Sequence, residues 1–478
     1  MKRKLIVLII CFSAAIGIRA EIRIAKIFTD NMVLQQQTEV PVWGKTEANK
    51  GIKLITSWDN QPYHADADSE GKWTVRIKTP KAGGPYSITV SGKKDKIIIK
   101  NILIGEVWIC SGQSNMEMPL AGWGKVKDWE QEIADADFPA IRLFTVEKNT
   151  SVTPLEDLKE SNGKWQECSP ETVAEFSSVA YFFGRHLYRN LNVPLGLVNT
   201  SWGGTVAEAW TSRETVEMIP DFAAALDRLQ KQEETDAVKR NPNRVTVLYN
   251  AMIYPLVPFT VGGAIWYQGE SNADRAYQYC DLFPLMIQNW RSVWGKNFPF
   301  YFVQLANFME RKPEPQSSRW AELREAQLRT LRLQNTGMAV TVDIGDEKDI
   351  HPKNKQDVGL RLALNALAKT YGKQVSYSGP VYRSYQIEGD KIRVKFEDTA
   401  TGLKTSDGNE IRGFAIAGAD HVFHWATATA ENETEVTVGS SYVKYPVAVR
   451  YAWADNPECN LTDSSGLPAS PFRTDDWK

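Results

Sequence analysis

The stretch G105-EVWICSGQSNMEMP-L120 decides the fold. An unbroken apolar run, Val107 to Cys110, stops at Ser111-Gly112-Gln113-Ser114-Asn115. Apolar residues on both faces describe a strand buried between two layers, and a polar, glycine-containing loop marks its carboxyl end. Five further apolar runs repeat the pattern downstream: IRLFTV (141–146), LGLVNT (195–200), GAIWYQ (263–268), FYFVQL (300–305) and MAVTVDI (338–344). Helical stretches fall between and after them, at 175–190, 213–234, 320–334 and 357–370. In the last, Leu360, Leu364 and Leu367 recur at the spacing of one apolar helix face. Strand and helix in alternation predict a parallel sheet covered by helices, an α/β fold.

Outward from this centre the rhythm changes. Residues 21–104 carry short β-branched and aromatic runs (VPVWG, IKLIT, WTVRI, YSITV, DKIIIK) separated by turn residues, as in a β-sandwich-like domain. Residues 376–478 return to strands (YQIEGDKIRVKFE, IRGFAIAG, ETEVTV, VAVRYAWA). A chain of 478 residues has room for about three domains. The reading is an N-terminal β domain (21–104), an α/β domain with insertions (105–375) and a C-terminal β-rich region (376–478).

Residues 1–20, MKRKLIVLIICFSAAIGIRA, have the build of a secretory signal peptide: basic residues, a short apolar run, and a small residue at Ala20. The apolar run is too short for a membrane span, and no other stretch reaches that length. The expectation is export, to a periplasm or the medium. Removing the leader takes four basic residues from a chain of 56 basic and 58 acidic ones, so the net charge moves from −2 to −6. Neither value suits nucleic-acid binding. Four cysteines then remain, Cys110, Cys168, Cys280 and Cys459, which permits but does not require two disulfides. No CxxC spacing suggests zinc, and His421 and His424 lie in a strand-like stretch where they would face opposite sides.

In parallel sheets, ligands bind beyond the carboxyl ends of the strands. Four predicted strand ends carry polar loops: SGQSNM (111–116), SWGGT (201–205), QGESN (268–272) and GDEKDIHP (345–352). Together they hold a hydroxyl, exposed backbone, amide side chains, and an acid beside a histidine, which acyl transfer from a serine requires. A lone serine after a strand is more often a helix cap. Here Ser114 would instead gain from the positive end of the helix that follows. Met116 stands where the G-x-S-x-G elbow has its last glycine, which argues against a lipase-type hydrolase. Trp123, Trp202, Trp266 and Tyr267 lie in or near these loops, placed either to stack on a sugar or to pack.

GEVWICSGQSNMEMPL, NTSWGGTVAEAW, WYQGESNA and DIGDEKDIHPKNK together resemble the sialate O-acetylesterase family of SGNH-type hydrolases. The likeness extends to NMVLQQ (31–36) and VRYAWADNPECNL (449–461). The resemblance implies an SGNH-type, flavodoxin-like parallel sheet and a serine esterase that removes O-acetyl groups from sugars, sialic acid first, with no metal or organic cofactor. It implies Ser114 as nucleophile, His351 as base, and the backbone N–H groups of Ser114 and Gly204 in the oxyanion hole. The third donor departs from the usual GxND motif: Gln268 is preferred and Asn272 is the alternative. The acid departs too, since Lys348 occupies the position three before the histidine. Asp349 is preferred over Asp346. Asn115, Trp202, Glu270 and Arg275 are candidates for substrate binding or loop orientation, Arg275 as a partner for a sialate carboxylate. Acetylated xylan or another plant glycan is the alternative substrate, and a non-catalytic glycan-binding protein the alternative class.

Overall fold

The computed structural model describes residues 21–93, 95–160, 163–231 and 240–477, with side chains described to residue 229 in the third segment. The expected leader lies outside the described residues. The organising element is β1 (Lys96–Gly112), one strand of 17 residues. Its first half pairs antiparallel with Gly83–Ser91 and its middle pairs in parallel with Val33–Gln35. From Glu106 onward the same strand becomes the centre of the parallel sheet. The change of rhythm at 104/105 therefore falls inside a continuous strand. One hydrophobic core runs without interruption from Ile22 to Leu367, across both regions.

The parallel sheet adds β2 (Phe138–Thr145), β3 (Leu195–Ser201), β4 (Gly263–Tyr267), β5 (Phe300–Gln304) and β6 (Thr336–Val340) in the order β2-β3-β1-β4-β5-β6. Gln166–Cys168 joins antiparallel at the β2 edge. From β3 to β6 this is the doubly wound flavodoxin-like order, which reverses direction at β1. Every residue of β3, β4, β5 and β6 is buried, as a strand covered on both faces demands.

Two tryptophans show how the faces divide. Trp108 stands in register with Gly263, so Trp266, three residues on, points to the opposite face. Trp108 meets Phe183 of α2 (Ser178–Leu191) edge-on, and Trp266 meets Phe283 and Trp290 of α3 (Ala276–Trp294). α2 packs with α5 (Lys355–Lys369), and α3 with α4 (Arg319–Arg329). α3 is the longest helix described, yet it is missing from the expected set. It carries Pro284 in its interior, and its dense apolar sequence blurs the helical period. The expected helix at 213–234 is broken into a one-turn helix, Arg213–Val216, a 3-10 turn, Pro220–Phe222, and a nine-residue helix, Ala223–Lys231, and its last three residues lie outside the described residues.

The C-terminal region forms two four-stranded antiparallel sheets around its own core, including Ile392, Phe396, Phe414, Val436, Val449 and Phe472. It is fastened to the α/β region by Arg324, which is fully buried. Its guanidinium donates to the carbonyls of Leu305, Ala306, Ala454 and Asp455 at 2.7–3.0 Å. The four cysteines of the described residues are all free thiols. Burial pushes Cys168 and Cys459 up to about 12, so neither is a ready nucleophile.

Candidate active site

β1 ends where it passes β4 at close range. A Cβ on Gly112 would lie 2.1 Å from the Tyr267 carbonyl oxygen, and its φ of +143° is one that side chains rarely adopt. Only glycine lets the two strand ends approach this closely. The Gln113 N–H then bonds the Tyr267 carbonyl at 3.0 Å, and α1 (Ser114–Glu117) begins. Ser114 is thus the first residue of its turn, half-buried, with an N–H that has no intrahelical acceptor. The turn has four residues, so the helix-dipole benefit expected for Ser114 is small; the local N–H groups matter instead.

The second loop folds directly over the serine. A Cβ on Gly203 would sit 3.2 Å from the Ser114 Cβ, and the Gly203 N–H donates to Glu117 Oε2 at 2.5 Å. Gly204 follows with φ +72°, and its N–H meets no protein acceptor among the described residues. The Gly204 carbonyl accepts from Asn243 Nδ2 at 2.9 Å, which fixes the orientation of the loop. Trp202 is half-buried beneath the Lys148 ammonium, 5.5 Å from the ring centre. Lys148 also pairs with Glu117 Oε1 at 2.6 Å.

The fourth loop carries His351. Its Nδ1 lies 3.5 Å from Asp349 Oδ1, and its backbone N–H bonds that same oxygen at 2.8 Å. Asp346 turns the other way, accepting the backbone N–H groups of Lys348 and Asp349. It shapes the turn, and Asp349 is the carboxylate that faces the imidazole. Burial pushes the Asp349 carboxyl up, but the His351 N–H and the Lys353 ammonium outweigh it and hold it below its usual value. Burial lowers His351 below 6.5, and the Lys355 ammonium adds to the effect while Asp349 opposes it. Trp123, half exposed, meets the imidazole edge-on at 5.3 Å.

Asn115 joins the first loop to the fourth. Its Nδ2 donates to the Ile350 carbonyl at 2.9 Å and to Glu270 Oε1 at 2.6 Å, and its Oδ1 accepts from Lys355 Nζ at 2.5 Å. The neighbour of the serine is thereby bonded to the neighbour of the histidine. Asn115 is buried in this junction and Glu270 is half-buried beside it, and both serve to join the loops.

The third loop corrects one expectation. Gln268 is fully buried, and its amide donates to the Thr205 carbonyl at 3.1 Å and to Asn272 Oδ1 at 2.6 Å. Both protons are committed, leaving none for an oxyanion. Asn272 spends one Nδ2 proton on Glu208 Oε2 at 2.9 Å and retains the other. Arg275 is likewise engaged, since one guanidinium nitrogen donates to Glu208 Oε1 and Gln278 Oε1 at 2.8 Å each. It neutralises the buried Glu208 while staying partly exposed. Trp266 and Tyr267 belong to the core. Lys355, which the sequence reading passed over, lies in this network.

The C-terminal motif supports the histidine loop from behind. Asp455 accepts the Phe308 N–H, Asn456 bonds Asn307, and the Asn307 side chain takes the Gly345 N–H at 2.6 Å. Among the described residues no group of three or more His, Cys, Asp or Glu side chains is arranged to hold a metal. His421 and His424 instead stack on Trp477 and Tyr442.

A doubly wound sheet with a serine at its switch point and a histidine–carboxylate pair on the loop after its last strand defines an esterase of the α/β type. Residues 104–368 match the family described as carbohydrate esterase, sialic acid-specific acetylesterase. The chain is 30% identical to the human sialate O-acetylesterase, covering 96% of this chain and 93% of that one. It is 29% identical to the mouse enzyme, over 96% and 95%. A solved carbohydrate acetylesterase from Xanthomonas citri superposes with a TM-score of 0.87 at 40% identity, over 95% of this chain and all of that one. The chain belongs to the sialic acid-specific acetylesterase family of carbohydrate esterases, and it is a carboxylic ester hydrolase.

Proposed function

We propose that this esterase removes O-acetyl groups from sialic acids through an acetyl-enzyme formed on Ser114. The Ser114 hydroxyl attacks the acetyl carbonyl while His351 takes its proton, and Asp349 orients the imidazole and balances the charge it gains. The N–H groups of Ser114 and Gly204 receive the oxyanion, with the free Asn272 amide proton in the adjoining loop as third donor. Collapse breaks the ester bond, and His351 returns the proton to the departing sugar oxygen. Water, deprotonated by His351, then attacks the acetyl group and releases acetate and the free serine. The observation that carries this reading is the Asn115 junction, which brings the serine turn and the histidine loop together at the carboxyl edge of the sheet.

An acidic protein must meet an anionic sugar with a local cation. Lys148 suits that role: it is 43% exposed and stands beside Trp202 and Glu117 at the serine. The leader composition supports export to a periplasm or the medium as the place of action.

The test compares wild type and Ser114→Ala on a chromogenic acetyl ester, then acetate release from 9-O-acetylated sialic acid and from acetylated xylan. Activity in wild type alone, with preference for the sialate, is expected. Equal activity of the variant would overturn the serine mechanism, and preference for xylan would overturn the substrate.

A further inference from the structure

Lys355 is the first residue of α5, a position where a lysine usually extends into water. Here it is fully buried. Its Nζ donates to Asn115 Oδ1 at 2.5 Å and stands 5.4 Å from the centre of the Tyr267 ring. Its carboxylate counterpart, Glu270, grips the other end of the same amide, from Oε1 to Asn115 Nδ2 at 2.6 Å. An ammonium and a carboxylate are thus joined through one asparagine. A buried charge costs several kcal/mol unless it is paired and hydrogen-bonded. A fold that needed only packing here would have placed apolar side chains in this position. What the arrangement secures is the direction of Asn115, whose remaining proton holds the Ile350 carbonyl beside His351.

The charges around the imidazole are unequal. Asp349 and Lys353 face it from its own loop, Lys355 from α5 and the Trp123 ring from the 119–128 segment. Asp349 and Lys353 pair with each other at 3.2 Å, and Glu270 is separated from Lys355 by the amide.

We propose that Lys355 is a positioning residue: with Glu270 it clamps Asn115 so that Ser114 and His351 stay in register. The inference rests on Ser114 and His351 acting as described above.

The test measures kcat and KM against pH for wild type, Lys355→Met and Lys355→Gln, on a chromogenic acetyl ester. Glutamine keeps a donor for Asn115 without the charge, and methionine keeps neither. Methionine lowers kcat roughly tenfold or more with little change in KM, and glutamine lowers it less. Unchanged kcat in the methionine variant, or equal kcat losses in the two, overturns the clamp. If methionine prevents folding, Asn115→Ala replaces it as the clamp test and is held to the same kcat criterion. Ser114→Ala, run alongside, distinguishes the two levels: its retention of activity would remove the serine mechanism itself, whatever the Lys355 variants do.

Discussion

Asp349 uses one carboxylate oxygen twice on His351, taking the backbone N–H at 2.8 Å and lying 3.5 Å from Nδ1. The backbone bond holds the carboxylate against the ring. The ring contact is long, and Asp349 is itself partly exposed. The acid therefore contributes less than a buried triad aspartate, whose amide replacement costs about 10⁴ in kcat. Asp349→Asn should lower kcat on an acetyl ester by about 10- to 100-fold, as steady-state kinetics would measure. A loss as large as that of Ser114→Ala would contradict the open geometry seen here.

His351 sets the acid side of the pH profile. Burial and Lys355 lower its value, and the reaction needs the neutral imidazole. Activity should therefore persist as pH falls through 6.5 and decline only below it. A plot of log kcat/KM against pH, which reports the free enzyme, locates that midpoint. A midpoint at or above 6.5 would mean that Asp349 outweighs the burial.

Lys148 offers a test of substrate charge. Its loss should raise KM for an O-acetylated sialic acid by about 5- to 30-fold, as for a screened charge contact of about 1–2 kcal/mol. The KM for a neutral chromogenic acetyl ester should change far less. Equal effects on the two substrates would assign Lys148 to holding Glu117 and the Gly203 loop.

Arg324 spends its guanidinium on carbonyls alone. Arg324→Met leaves the acceptors at Leu305, Ala306, Ala454 and Asp455 without it, a cost of about 3–5 kcal/mol. Urea unfolding should show the loss. Release of the 454–458 segment should also loosen the Asn307 contact to Gly345 and lower kcat at temperatures where the chain stays folded.

The strand-end loops were legible because their residues punctuate apolar runs, and a local change of period is visible along one chain. The α/β class and the four candidate loops came from that signal, and the family resemblance supplied the roles of Ser114 and His351 within them. Gln268 was misjudged for the opposite reason. Whether an amide has a proton to spare depends on Thr205, 63 residues away, and no local pattern records it. Lys355 escaped notice because a lysine opening a helix reads as a solvated charge, and its burial is created by α5 packing against α2, β5 and β6. Arg275 looked like an open cation until its partner Glu208 folded against it. α3 was lost because its apolar residues nearly surround the helix, which removes the contrast between faces.

The 17 residues of β1 also set the unit in which this enzyme can be taken apart. Ser114 stands just past the tip of a strand whose root is woven into the N-terminal sheet. A cut at residue 105 would halve that strand, strip Val33–Gln35 and Gly83–Ser91 from it, and open the shared core. The N-terminal region is thus the foundation on which the nucleophile is mounted. A fragment trimmed to the α/β sheet alone would lose the rigidity that keeps the serine in place, even with every reacting residue present.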